Sequence, residues 1–213
     1  MNILLVAEVS IAQVIGGAER VLRAQALGLA ARGHTVRVLA RSGAQDGWGR
    51  VVVEGVEEVR YRVDRRNAVA FFVSSVRNAR RVCASLAGES RPDVLLIHQA
   101  LPGLAAVRCL PRTPSVYTCL SLAHEEFETR NRPPEGIGGR MWYRCQFLAR
   151  QRIERVALNH ARRVIVLSEF MRRRVVDCHR NKADRMLIIP AGVDTRVFSP
   201  LPDYRSARRA LGM

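Results

Sequence analysis

Apolar and polar positions along this chain switch repeatedly between two periods. Residues 3–7 are a continuous apolar run, the pattern of a strand covered on both faces. Residues 18–32 change to helical spacing: Val21, Leu22, Ala26, Leu29 and Ala30 fall on one stripe, and Gly33 follows as a stop. The alternation continues to the end. Strands are predicted at 36–40, 51–53, 56–63, 94–98, 115–118, 164–167 and 186–189, and helices at 66–87, 103–109, 140–162 and 169–176. Glu57, Arg60 and Arg62 put one of the two strands in 51–63 near a sheet edge. Residues 41–50 read as a glycine-rich loop. Residues 120–139, with Pro133, Pro134, Gly136, Gly138 and Gly139, read as irregular. Strands separated by helices belong to the α/β class: a Rossmann-like, doubly wound parallel sheet in three α/β/α layers. After Pro190 the chain takes on linker character, with Pro200, Pro202 and a short helical tail at 206–211.

The length of 213 residues predicts one domain, or one domain and a tail, and 48% apolar residues suffice for a core without staples. The five cysteines, Cys83, Cys109, Cys119, Cys145 and Cys178, are odd in number and scattered, with no C-x-x-C pair. That pattern argues against a disulfide framework or a zinc site and for a reducing compartment. The start of the chain reads as a buried strand rather than a signal peptide, and no apolar run approaches the ~18 residues of a membrane span. A cytoplasmic location is expected.

Charge adds one constraint. Lys and Arg number 35 against 19 Asp and Glu, a net charge of +16, and nearly all of the excess is Arg. Such a field favours phosphates, whether of nucleic acid, anionic lipid or nucleotide; the plain alternative is Arg used as a generic surface residue. Aromatic residues make up only 6% and no nucleic-acid motif is recognisable, which counts against a nucleic-acid partner.

Gly16-Gly17-Ala18-Glu19-Arg20 lies between the first strand and the first helix. Two glycines let a ligand approach the backbone, and the helix start offers free N–H groups and a positive dipole end to a phosphate. The run is not G-x-G-x-x-G, and the loop at 8–15 is long for a dinucleotide fold, which counts against a dehydrogenase. A Gly-Gly pair is also common as a simple turn.

The ordered set of motifs resembles glycosyltransferase family 4. The apolar run at 3–7, Gly16-Gly17-x-Glu19, and Gly33-His34-x-Val36-x-Val38 are similar to its opening strand, "GGxE" helix start and "RGHxVxV" second strand. Pro92-Asp93-Val94 through His98 resembles its "PDvvhvH" strand, and Val164-Ile165-Val166-Leu167-Ser168-Glu169 its "vivlSe" segment. Ile189-Pro190-Ala191-Gly192-Val193-Asp194-Thr195-x-x-Phe198-x-Pro200 resembles its "IPNGVDtxxFxP" hinge. The resemblance implies a GT-B fold, two Rossmann-like domains facing across a cleft, of which this chain is the N-terminal, acceptor-side half. Residues 1–194 would be that domain. Residues 195–213 would be the hinge toward an absent C-terminal domain that holds most of the nucleotide sugar. The chain would then be an excised piece, a truncation or one half of a split enzyme.

The resemblance also assigns roles. Gly16 and Gly17 would reach the donor diphosphate. His98, at the end of a strand where open α/β sheets bind ligands, would contact an acceptor hydroxyl; the alternative is a satisfied histidine at the core's edge. Leu120 stands where the family carries a histidine that contacts the transferred sugar, and His124 is the candidate substitute. Ala191 replaces the usual hinge Asn. Read from the residues themselves, Glu126, within Glu125, Glu126 and Glu128, would ligate a cation, bind an acceptor amine or simply be solvated, and Ser168 and Glu169 would face the cleft or serve as a helix cap. The implied activity is retaining transfer of a sugar from a UDP- or GDP-sugar to a glycan, lipid-linked or natural-product acceptor, with no metal and no bound cofactor in this half. The competing reading is a non-catalytic binding module derived from such a domain. The helix at 140–162 sets Trp142, Cys145, Ala149, Ile153 and Val156 among many arginines, a pattern for either core or peripheral contact with an anionic membrane.

Overall fold

The apolar run near the start of the chain becomes the central strand of an eight-stranded sheet. The structure is a computed structural model that describes residues 1–43, 49–180, 183–193, 195, 198 and 204–212. The elements run β1 (Asn2–Val6), α1 (Gly17–Ala30), β2 (Thr35–Arg41), β3 (Gly49–Val53), β4 (Val56–Tyr61), α2 (Ala68–Glu89), β5 (Val94–Ile97) and α3 (Ala100–Cys109). They continue with β6 (Ser115–Cys119), α4 (Ala123–Arg130), α5 (Ile137–His160), β7 (Arg163–Val166), α6 (Glu169–His179), a 3₁₀ turn at Ala183–Arg185, β8 (Met186–Ile188) and α7 (Tyr204–Ala210). Residues 44–48 of the glycine-rich loop, and Asp194, Pro200 and Pro202 of the hinge and tail, lie outside the described residues.

The strand order is β3-β4-β2-β1-β5-β6-β7-β8. Every pair is parallel except β3 with β4, a hairpin at one edge. Alternate side chains of β1 enter two separate cores, as a strand's period of two requires. Leu4 and Val6 join one with Leu39, Tyr117, Cys83 and Leu158, while Ile3 and Leu5 join the other with Val36, Val38, Leu22 and Ala26. Helices therefore cover both faces of the sheet, which is the predicted three-layer α/β/α class. All five cysteines are unbridged.

One prediction is corrected. Residues 120–139 are not irregular throughout: α4 occupies Ala123–Arg130, and α5 begins at Ile137. An eight-residue helix spans barely two turns, too short for a stripe to show in the sequence. It is held from outside. Phe127 stacks on Tyr143 with ring centroids 4.9 Å apart, and the Tyr143 hydroxyl donates to the Asn131 carbonyl at 3.2 Å. The Pro-Gly punctuation marks the gap between the two helices, where Gly136 takes a φ of 86° that favours glycine.

Candidate functional site

The winding of the sheet places the site. From β1 the chain moves outward through β2 to β4, then returns to lay β5 on the other side of β1. Such a reversal opens a crevice beyond the carboxyl ends of the two strands on either side of it. Glu8 follows β1 and His98 follows β5, and each is locked to the other's strand. The Glu8 N–H donates to Gln99 Oε1 at 2.8 Å, and the His98 N–H donates to the Val6 carbonyl at 2.9 Å.

A cavity of about 320 Å³ lies there. Its polar lining includes Glu8, Arg41, His98, Glu126 and Arg150, and Phe71, Phe72 and Phe127 supply its apolar walls. His98 is 4% exposed, and among the described residues neither ring nitrogen has a hydrogen-bond partner. Burial pushes its imidazole down to about 4, so it is neutral near pH 7 and able to donate from one nitrogen and accept at the other. Glu8 pairs with Arg41 at 2.7 Å. Burial raises the Glu8 carboxyl above its ordinary value, Arg41 opposes that shift, and the nearby Glu126 adds to it. Glu8 carried no signal in a sequence reading, because an acid after a buried strand is common and its partner lies 33 residues away.

The glycine loop approaches the same rim. Gly16 and Gly17 are exposed at the start of α1, and Ala18 touches the cavity. A Cβ on Gly17 would meet nothing within 4 Å, so its backbone stays open to a ligand. The Glu19 carboxylate accepts the Gly16 N–H at 3.1 Å and holds the first turn. Glu58, which is fully buried on β4, anchors the base of this loop. It accepts the Ser10 hydroxyl at 2.7 Å and the Ile11 N–H at 2.6 Å, with Arg60 at 2.6 Å as its counter-charge.

His124 is brought elsewhere. It is 2% exposed on α4 and lies beneath the cavity rather than on its wall. Its Nδ1 is 3.6 Å from Glu154 Oε2, and its ring meets Phe147 and His179 edge to face. Glu154 of α5 also lies 3.0 Å from His179 Nε2, and it accepts the Tyr117 hydroxyl at 3.2 Å and the Ala123 N–H at 3.1 Å. Burial alone would raise this carboxyl, but the neighbouring His124 and His179 rings and the Ala123 N–H overcome it and hold it below its ordinary value. His124 thus lies off the cavity wall, and Glu154 ties α4, α5, α6 and β6 together under the site.

Glu126 does line the cavity, half-exposed and 3.5 Å from Arg130. Ser168 and Glu169 do not line it. The Ser168 hydroxyl accepts the Met171 N–H at 3.2 Å as the cap of α6, and Glu169 pairs with Arg172 at 2.8 Å.

The sequence matches the profile of Glycosyltransferase Family 4 over residues 15–197. No curated protein matches it. Among solved structures it is similar to sucrose-phosphate synthase from Thermosynechococcus elongatus, at 16% identity and a TM-score of 0.75, covering 100% of this chain and 52% of that one. It is also similar to the lipopolysaccharide outer core galactosyltransferase WaaB, at 11% identity and a TM-score of 0.60, covering 96% and 50%. A third is Anabaena HepE in complex with UDP and glucose, at 17% identity and a TM-score of 0.58, covering 98% and 50%. The chain thus spans about half the length of these proteins.

Proposed function

The chain belongs to glycosyltransferase family 4, and on that premise we propose that it forms the acceptor-side half of a retaining transferase acting with a UDP- or GDP-sugar. The observation that carries this reading is the unpartnered, buried His98 at the carboxyl end of β5, in a cavity walled by Phe72 and Phe127. A neutral imidazole there is suited to hydrogen-bond an acceptor hydroxyl, and the rings suit the apolar face of a sugar. Glu8 stands beside it, close to Arg41. Gly16 and Gly17 would meet the donor diphosphate from the rim, through the Gly17 N–H and the α1 dipole, while the Gly16 N–H is held by Glu19. His124 and Glu154 act from below by positioning α4.

The donor sugar would be held by a second domain facing the carboxyl ends of the strands, joined through residues 195–213 in cis or supplied in trans. Ile15 and Phe170, which follow β1 and β7 at that rim, are 85% and 70% exposed, as a surface that meets another domain would be. Catalysis then rests on placing the acceptor hydroxyl by the anomeric carbon and on stabilising the departing diphosphate.

The test is release of nucleoside diphosphate from UDP- and GDP-sugars by the full-length protein with a panel of hydroxylated acceptors. His98→Ala should lower kcat/KM by about 5- to 100-fold, the loss of a buried hydrogen bond, with the melting temperature retained. Unchanged kcat/KM in the folded variant would remove His98 from the site, and transfer by the isolated 213 residues would remove the need for a second domain.

A peripheral membrane contact is favoured by one observation. The first turns of α5 expose Ile137, Met141 and Trp142 beside Arg140 and Arg144. No helix among the described residues is long and apolar enough to cross a membrane. An acceptor anchored in an anionic bilayer would be met by such a face.

A further inference from the structure

The cavity is lined by three arginines, Arg41, Arg130 and Arg150, and three carboxylates, Glu8, Glu126 and Glu154, but they do not pair one to one. Glu8 is matched by Arg41 at 2.7 Å and Glu126 by Arg130 at 3.5 Å. Glu154 closes the floor, but its oxygens are taken by Tyr117, Ala123 and His179. Arg150 of α5 is left over. Among the described residues it has no carboxylate within ion-pairing distance, and its one hydrogen bond there runs from Nη1 to the Gln146 carbonyl at 3.1 Å. Phe127 and Phe72 flank its guanidinium, whose carbon lies 4.0 Å from one ring centroid and 4.7 Å from the other. A guanidinium carries five N–H donors in a planar fork. The rings fix its plane, and one donor is used on its own helix. The rest are available to the cavity that Arg150 lines. A partly desolvated cation with aromatic walls, no carboxylate in ion-pair contact and only the more distant Glu8 acting on its charge is an arrangement that suits an anion brought by a ligand.

We propose that Arg150 is the anion-recognising residue of this cavity, and that the compound bound there is a hydroxylated molecule bearing one phosphate or carboxylate group. The anionic oxygens sit on the Arg150 fork, while the hydroxylated part lies against Phe127 and Phe72 with a hydroxyl at His98. The volume of about 320 Å³ is at the small end of ligand cavities and matches a group of monosaccharide size. This inference rests on the acceptor reading above and narrows it to acidic acceptors.

The experiment titrates the 213-residue chain with glucose, glucuronate and glucose 6-phosphate, following chemical shifts of the His98 and Phe127 rings. The two acidic probes should bind about tenfold more tightly than glucose, the scale of one charge-assisted hydrogen-bond pair. Arg150→Gln should bring all three to equal affinity and leave glucose within about twofold. Arg80→Gln removes the same charge from an exposed site on α2 and should keep the preference, which separates a local anion site from the general pull of a chain of net charge +16. Should the Gln variant fail to fold, Arg150→Met keeps the bulk between the rings and carries the same expectation. An acid preference that survives in a folded Arg150 variant overturns the proposal. Glucose binding as tightly as its phosphate to the unaltered chain overturns it too, and leaves the acceptor reading standing. If none of the probes moves either ring at millimolar concentration, the acceptor reading falls and takes this inference with it.

Discussion

The Glu58 carboxylate on β4 accepts the Ile11 amide at 2.6 Å, joining residues 47 apart in sequence. Through that bond a strand next to the sheet edge sets where the loop carrying Gly16 and Gly17 leaves β1. The Glu57, Arg60 and Arg62 pattern predicts a strand near the sheet edge, and the hairpin of β3 and β4 forms that edge. The residue that matters for the site is the one between them, Glu58, which points inward.

Glu58→Ala should cost about 3–5 kcal/mol, because Arg60 is left as an uncompensated buried charge and the Ile11 N–H loses its acceptor. Denaturant unfolding measures the loss. Hydrogen exchange should accelerate at residues 10–12 more than in α2; equal acceleration throughout would mean that Glu58 does not act on the loop.

Glu154→Ala should be among the most damaging single changes. It strips partners from Tyr117, Ala123 and His179 together, at about 3–5 kcal/mol, or roughly 6–20 °C in melting temperature for a chain of this size. A change under 2 °C in a thermal melt would contradict the tethering role.

Stability should fall as pH is lowered from about 6.5 to 4. His98 protonates near 6.5 in the unfolded chain but at about 4 when folded, so the unfolded state binds the extra proton in that window. The slope is at most ~1.4 kcal/mol per pH unit. Glu154 adds to the loss at lower pH, since its folded value is depressed and its contribution disappears as pH falls below the ordinary value of about 4.5. His98→Asn should flatten the curve between pH 6.5 and 4 and leave the lower limb. An unaltered curve would mean that His98 titrates normally in the fold.

Gly103→Ala should destabilise the chain although it improves helix propensity. A Cβ there would sit 2.5 Å from Ile97 Cγ2, the residue before His98, with Ala157 on the other side at 3.6 Å. Overpacking costs about 1–3 kcal/mol against a helix gain of about 1 kcal/mol. The melting temperature should drop by roughly 2–4 °C per kcal/mol of net loss, and a rise would show that β5 and α3 part without strain.

Vesicle co-sedimentation checks the face of α5. Trp142→Ala with Met141→Ser should weaken binding to vesicles rich in phosphatidylserine about tenfold, through lost apolar burial, and high salt should weaken it further through screening. Equal binding by the double variant would assign that face to another role.

The sequence by itself determined the α/β class, all eight strands, and the order in which strands and helices alternate, apart from α4. Those features rest on short runs whose periodicity is local, such as the unbroken apolar stretch of β1 or the stripe of α1. The family motifs were legible for the same reason, being short segments in a fixed order. Tertiary structure decided what lies at the cavity. In the sequence His98 closes a predicted strand and His124 lies in a segment read as irregular, and both are candidate hydroxyl contacts. The fold turned His98 toward the cavity at the strand reversal and drew His124 into the interior against Glu154, 30 residues further on. Glu8, Glu58 and Arg150 gave no local signal, because what distinguishes each is a partner, or the lack of one, supplied by a distant segment. Charge pairing and burial depend on which elements become neighbours, and that is settled only when the sheet is wound and its helices are packed.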